Sequence, residues 1–183
     1  MSDMYPKYQE FAKQMLQNYH HDNPRVLKTD CYNEAYTDYP ILPSPNAAPR
    51  WLYVDIDNDI ISEARDRYPH LIISSQDIRK LELEDSSIDI VMDFSTIDHV
   101  PDYQVALDEY KRVLVKNGRI LVVVWLDDEL RHVPSPRDAG QYYFPKKEFV
   151  SELMDRFLLL IKHEYTGVIG GDGFLTKFVC ENL

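Results

Sequence analysis

The chain reads as an α/β protein: a doubly wound, mostly parallel sheet finished by a C-terminal antiparallel hairpin. Three observations predict this. Between residues 51 and 126, short apolar runs alternate with stripes of helical spacing, the order that produces right-handed strand–helix–strand crossovers. Residues 120–126 (Ile-Leu-Val-Val-Val-Trp-Leu) are apolar at every position, as expected of a strand covered on both faces. Two strand-like runs, 158–165 and 174–181, flank a glycine-bearing turn too short to hold a crossover helix, so they must pair antiparallel.

The elements follow in order. Tyr5, Tyr8, Phe11, Ala12, Met15, Leu16 and Tyr19 recur at three- and four-residue steps. That spacing marks one face of a helix, with Ser2 or Asp3 as its cap and Pro6 in its first turn. Pro24 stops it, and 25–29 is a short extended run. Pro40, Pro43, Pro45 and Pro49 forbid a helix over 40–49. Residues 51–56 form a strand, after which Asp57 caps a helix carrying Ile60, Ile61, Ala64 and Tyr68 and ended by Pro69. Residues 71–74 and 88–94 are strands. Tyr103, Ala106, Leu107, Tyr110, Val113 and Leu114 make a helical stripe, with Asn117-Gly118 as the turn that ends it. A helix over 145–157 precedes the final hairpin. Residues 127–144 read as a short insertion, too small for a separate substrate domain, so residues 1–183 form a single domain.

Composition narrows the function. With 20 basic and 31 acidic residues, the net charge is -11. Such a surface repels phosphate backbones, which argues against nucleic-acid binding. No apolar run approaches the roughly 20 residues that span a bilayer. The polar, aromatic N-terminus is unlike a secretory signal. Cys31 and Cys180 offer neither a disulfide framework nor metal-ligand spacing. These features predict a cytoplasmic protein without a membrane partner. Cys31 reads as a buried thiol, and His20-His21 as a helix-end pair rather than a metal site.

Several segments together resemble the class I S-adenosylmethionine-dependent methyltransferase family. Tyr53-Val-Asp-Ile-Asp57 is similar to that family's second strand with its terminal acid. Gln76-Asp-Ile78 is similar to the end of its third strand. Ile88-Asp-Ile-Val-Met-Asp-Phe-Ser-Thr-Ile-Asp-His-Val-Pro101 is similar to its fourth strand and the loop after it. Tyr110-Lys-Arg-Val-Leu-Val-Lys-Asn-Gly-Arg-Ile120 is similar to the helix and turn before its fifth, and Phe174-Leu-Thr-Lys-Phe-Val-Cys180 to its last. The resemblance implies a Rossmann-like methyltransferase fold, S-adenosylmethionine as cofactor and S-adenosylhomocysteine as product.

It also implies site residues. Asp55, with Ile56 beside it, would take the ribose; a carboxylate at a strand end can accept from both hydroxyls. Asp77 and Ile78 would face the adenine, and Asp93, Phe94 and Ser95 the methionine portion. His99 would serve as general base, since imidazole titrates near neutrality. Methyl transfer is an in-line displacement in which positioning supplies much of the acceleration, so a base is optional. Each residue also has a plainer reading, as a cap, a turn residue or a structural hydrogen-bonder.

One departure matters. The family's first strand ends in an acid followed by Gly-x-Gly-x-Gly, whose amides approach the methionine carboxylate. Here Arg25-Val-Leu-Lys-Thr-Asp-Cys-Tyr-Asn-Glu34 stands in that place, and the first glycine of the chain is Gly118. Two expectations compete. Either Lys28 pairs with the methionine carboxylate while Asp30 or Glu34 takes the ammonium, or cofactor binding is lost and the domain is an inactive binding or scaffold module. The helix that should follow is expected to be replaced by the proline-rich loop. The acceptor is expected to be a small molecule, bound in a compact site or in an open one completed by a protein partner.

Overall fold

The computed structural model describes residues 4–19, 23–135, 140–165 and 174–183. Ser2, Asp3, His20-His21 and the turn before residue 174 lie outside them. Helix α1 (Tyr5–Gln17) has Pro6 in its first turn and buries Tyr8, Phe11 and Ala12. Strand β1 (Val26–Lys28) is followed by a short helix α2 (Tyr32–Tyr36), then by β2 (Trp51–Asp55), α3 (Asn58–Arg67), β3 (Ile72–Ser75) and β4 (Ile88–Phe94). Next come α4 (Tyr103–Val113), β5 (Leu114–Asp127), β6 (Arg131–Val133), β7 (Gln141–Pro145), α5 (Lys146–Arg156), β8 (Leu158–Tyr165) and β9 (Phe174–Glu181).

The parallel core has the order β3-β2-β1-β4-β5. Strand β9 lies antiparallel to β5 and pairs in turn with β8, which is the expected hairpin. Alternate residues of β5 enter opposite cores. Ile120, Val122, Val124 and Leu126 pack with α4 and α5, and Leu121, Val123 and Trp125 pack on the side of α1 and α3. Each such aliphatic side chain contributes about 1.5–3 kcal/mol by leaving water. Asp57 caps α3 as its sequence predicts, its Oδ1 accepting from Asp59 and Ile60 N–H.

Four expectations need correction. A helix does follow β1, because Arg67 of α3 donates to the carbonyls of Glu34, Ala35 and Thr37 and closes the end of α2. The proline segment ends in a single 3-10 turn, Ala48–Arg50, which accepts Pro49 in its first turn. Helix α4 stops at Val113, and Asn117-Gly118 instead forms an irregularity inside β5. There β5 advances from Leu114 to Arg119 while β4 advances only from Ile88 to Ile90. Asn117 takes φ 63°, and a Cβ on Gly118 would meet the Val115 carbonyl at 2.9 Å. The buried Asn182 amide, not the Asn-Gly pair, satisfies the Leu114 and Val115 carbonyls. Finally, 127–144 is not plain insertion: β6 and β7 form a hairpin that attaches to the end of β5 through Leu126 and Phe144.

Candidate active site

The strand order reverses between β1 and β4, and in open α/β sheets ligands bind beyond the carboxyl ends of the strands at such a point. The residues there are Lys28, Asp55, Ser75 and Phe94, with the loops that follow. Asp55 is central. Its Oδ2 accepts Cys31 N–H at 2.9 Å and its Oδ1 accepts Asp57 N–H at 3.0 Å. A carboxylate oxygen has two lone pairs, so each keeps one acceptor direction. Burial raises the Asp55 carboxyl above its usual range, with the two amides opposing. Ile56 beside it is 67% exposed.

The turn after β1 is shaped by charge where the family uses glycine. Lys28 Nζ donates to the Asp30 carbonyl at 2.8 Å and to Asp30 Oδ2 and Glu34 Oε2 at 3.0 Å each. These bonds use all three ammonium donors. Glu34 Oε1 accepts Ile41 N–H and so ties the proline segment to α2. Lys28 and Glu34 are both fully buried. Burial works against the Lys28 charge, but Asp30 and Glu34 outweigh it and raise its pKa. The expectation that Lys28 and Glu34 contact the cofactor is therefore corrected: they are the internal brace of the turn. Asp30 remains at the surface of this brace, and its Oδ1 accepts Tyr32 N–H.

Asp93 is corrected in the same way. It is fully buried, its Oδ1 accepts from Thr96 and Ile97 N–H, and its Oδ2 takes the Tyr110 hydroxyl at 2.6 Å. Burial pushes its carboxyl up to about 7. Asp93 thus caps the 3-10 turn Ile97–His99 from within the core. Phe94 is nearly buried against Tyr8 and Phe11 of α1. Ser95 takes φ 65°, a conformation that L-residues hold only when their surroundings impose it. Its Oγ lies 3.0 Å from the Tyr8 hydroxyl, which brings α1 across the strand ends.

On the β3 side, Asp77 is gripped by Arg79 through Nε and Nη2, and Arg79 reaches on to Asp102. Those hydrogen bonds lower the Asp77 carboxyl. Ile78 is 5% exposed. The buried Cys31 thiol is pushed up by burial and suits no nucleophile. His99 is 40% exposed at its side chain, and its Nδ1 lies 2.8 Å from the Gly140 carbonyl. Sequence reasoning missed Tyr8, Arg67, Asp98 and Tyr110, whose partners are far away in the chain. A separate hollow of about 550 Å³, lined by Arg25, Arg50, Trp51, Ile72 and Glu82, opens at the opposite strand ends. That end is not where this architecture binds ligands.

Comparison with known proteins agrees with this geometry. Residues 39–122 match the model of a methyltransferase domain family. A solved S-adenosylmethionine-dependent methyltransferase from Methanosarcina mazei superposes with TM-score 0.70 at 17% identity, over 92% of this chain and 97% of that one. The chain has the fold of S-adenosylmethionine-dependent methyltransferases and, over residues 39–122, is similar to a methyltransferase domain in sequence. Another solved structure of like fold is the 1,6-didemethyltoxoflavin-N1-methyltransferase of Burkholderia thailandensis, with 1,6-didemethyltoxoflavin and S-adenosylhomocysteine bound. Its TM-score is 0.66 at 15% identity, over 98% of this chain and 81% of that one. A curated relative of Mycobacterium tuberculosis, named as an S-adenosylmethionine-dependent methyltransferase, is 33% identical over 69 residues, 38% of this chain. One of Mycolicibacterium smegmatis is 34% identical over 77 residues, 42% of this chain. The chain matches only 25% and 30% of the length of these two relatives.

Proposed function

We propose that this chain transfers a methyl group from S-adenosylmethionine to a small-molecule acceptor. Asp55 carries the reading: it stands at the end of β2 beside the switch point with one acceptor direction left on each oxygen. The ribose hydroxyls suit those directions. Ile56, Asp77 and Ile78 would border the adenine, and Asp30, Phe94 and Ser95 the methionine portion, with Asp30 taking the ammonium. The cofactor supplies an electrophilic methyl group on a sulfonium. The chain's own part is to align the acceptor, exclude water under α1 and receive a proton at His99. A small acceptor accords with the bound 1,6-didemethyltoxoflavin of the Burkholderia enzyme and with the small β6–β7 hairpin. The net charge of -11 disfavours nucleic acid. Among the described residues no helix is long and apolar enough to cross a membrane. The free, buried cysteines suit a reducing cytoplasm.

A second reading, an inactive binding or scaffold module completed by a protein partner, draws on the engagement of Lys28, which leaves its ammonium no donor for a methionine carboxylate. Methyl-tritiated S-adenosylmethionine, incubated with the protein and a macromolecule-depleted cell extract, tests the proposal. Label in a small product that needs the protein supports methyl transfer to a small acceptor. Persistent absence of such label, with no cofactor binding, favours the module.

A further inference from the structure

Asp98 is fully buried, yet among the described residues its Oδ1 has no hydrogen-bond partner. Its other oxygen accepts Trp125 N–H and the Gln141 side-chain amide, each at 3.3 Å. An unpartnered buried carboxylate oxygen is costly to keep and calls for an explanation. His99 Nε2 lies 3.9 Å from Oδ1. The other ring nitrogen, Nδ1, sits 2.8 Å from the Gly140 carbonyl. A carbonyl only accepts, so Nδ1 carries the proton and the neutral ring has its lone pair at Nε2. Gly140 can present that carbonyl because it takes φ 80°; a Cβ there would meet the Val133 carbonyl and His132 Nε2 at 2.5 and 2.6 Å.

We propose that Asp98 is a positioning residue whose Oδ1 is the buried counter-charge for an imidazolium formed at His99 Nε2, so that this site serves acceptors bearing an O–H or N–H group. The inference rests on the methyltransferase reading. In such a transfer an acceptor lone pair would form the new bond to the methyl carbon as the methyl–sulfur bond breaks and its pair returns to sulfur. The acceptor's bond to hydrogen breaks and leaves its pair on the acceptor atom. The proton adds to the Nε2 lone pair. The charge so created lies 3.9 Å from Oδ1, where a dry setting strengthens the attraction. The proton then leaves to solvent from the part-exposed ring. This divides the work as a histidine–aspartate pair does elsewhere: the acid steadies the cation without taking its proton.

The groups facing Asp98 support the arrangement. Among the described residues Tyr8 of α1 and Asp93 of β4 feel its charge, β5 and β7 offer the neutral donors of Trp125 and Gln141, and His99 is the basic neighbour. Burial raises the Asp98 carboxyl, against the opposing pull of His99, to about 6.

Nuclear magnetic resonance of cofactor-free protein labelled in histidine nitrogen and aspartate carbon tests this. In the wild type the neutral His99 ring is expected to carry its proton on Nδ1. In His99→Gln the titration midpoint of the Asp98 carboxyl is expected to move upward. A ring protonated on Nε2 overturns the proposal, as does an Asp98 midpoint that His99→Gln leaves in place. If that variant does not fold, the wild-type tautomer still decides. Neither readout needs cofactor, so failure here is distinct from failure of the protein to bind S-adenosylhomocysteine.

Discussion

Asp55 Oδ2 accepts the backbone N–H of Cys31 at 2.9 Å, and this one bond joins the end of β2 to the turn after β1. The same carboxylate holds Asp57 N–H, so it organises the strand ends while keeping one acceptor direction on each oxygen. Asp55→Ala is expected to weaken S-adenosylhomocysteine binding about 10- to 100-fold, the worth of hydrogen bonds to a charged acceptor. Stripping the two amides also costs about 1–3 kcal/mol of stability. Calorimetry and urea unfolding separate the two effects. Full affinity in a folded Asp55→Ala protein would remove the ribose assignment.

The Lys28–Glu34 brace predicts a non-additive pair. Lys28→Met leaves Glu34 charged and unpaired at zero exposure and is expected to cost about 3–5 kcal/mol. Adding Glu34→Leu should recover most of that loss, since Asp30 at 14% side-chain exposure can be hydrated. A double-mutant cycle by urea unfolding measures the coupling. Additive losses would show that the two charges act independently.

Asp93 links stability to pH. Its folded-state carboxyl is raised to about 7 by burial, so the folded chain holds the proton more tightly than the unfolded one. The contribution is full below about pH 4 and is lost as pH rises through about 7. Asp98, raised to about 6, acts in the same direction. Asp77 and Glu109, held low by Arg79 and Arg112, stay ionised over this window. Unfolding free energy should therefore fall between about pH 4 and about pH 7. Tyr110→Phe removes the donor to Asp93 Oδ2 and should cost about 2 kcal/mol at the higher pH, and less at the lower. Equal losses at both pH values would contradict the linkage.

Gly140→Ala tests the β6–β7 hairpin. The added methyl would meet both the Val133 carbonyl and His132 at under 3 Å, in a backbone conformation that alanine resists. A loss of about 1–3 kcal/mol is expected, read by thermal unfolding. An unchanged melting temperature would mean the hairpin does not pack as described.

Local rules carried much of this fold. Asp57 signals a cap, Ile120 to Leu126 a doubly covered strand, and the run after Phe157 a closing hairpin. Each message is written within a few residues of where it acts. What escaped was non-local. Asn117-Gly118 looks like a helix end, yet the Leu114 and Val115 carbonyls are met by Asn182 at the far end of the chain. Helix α2 depends on Arg67, some thirty residues on. The site divides along the same line. The places of Asp55 at the end of β2 and of His99 in the turn after β4 were legible in the order of the elements. The enclosure of Lys28, Glu34 and Asp93 was not, because a charged residue looks exposed until its partners are known. Asp98 gave no signal, because burial of an oxygen without a partner among the described residues is not written in the sequence.

The most direct test of the central claim is calorimetric titration of the intact protein with S-adenosylhomocysteine. The account predicts saturable binding at one site, weakened by Asp55→Ala. No heat of binding at millimolar ligand would contradict it, and would mean that the braced turn from Lys28 to Glu34 has closed the site the fold once offered.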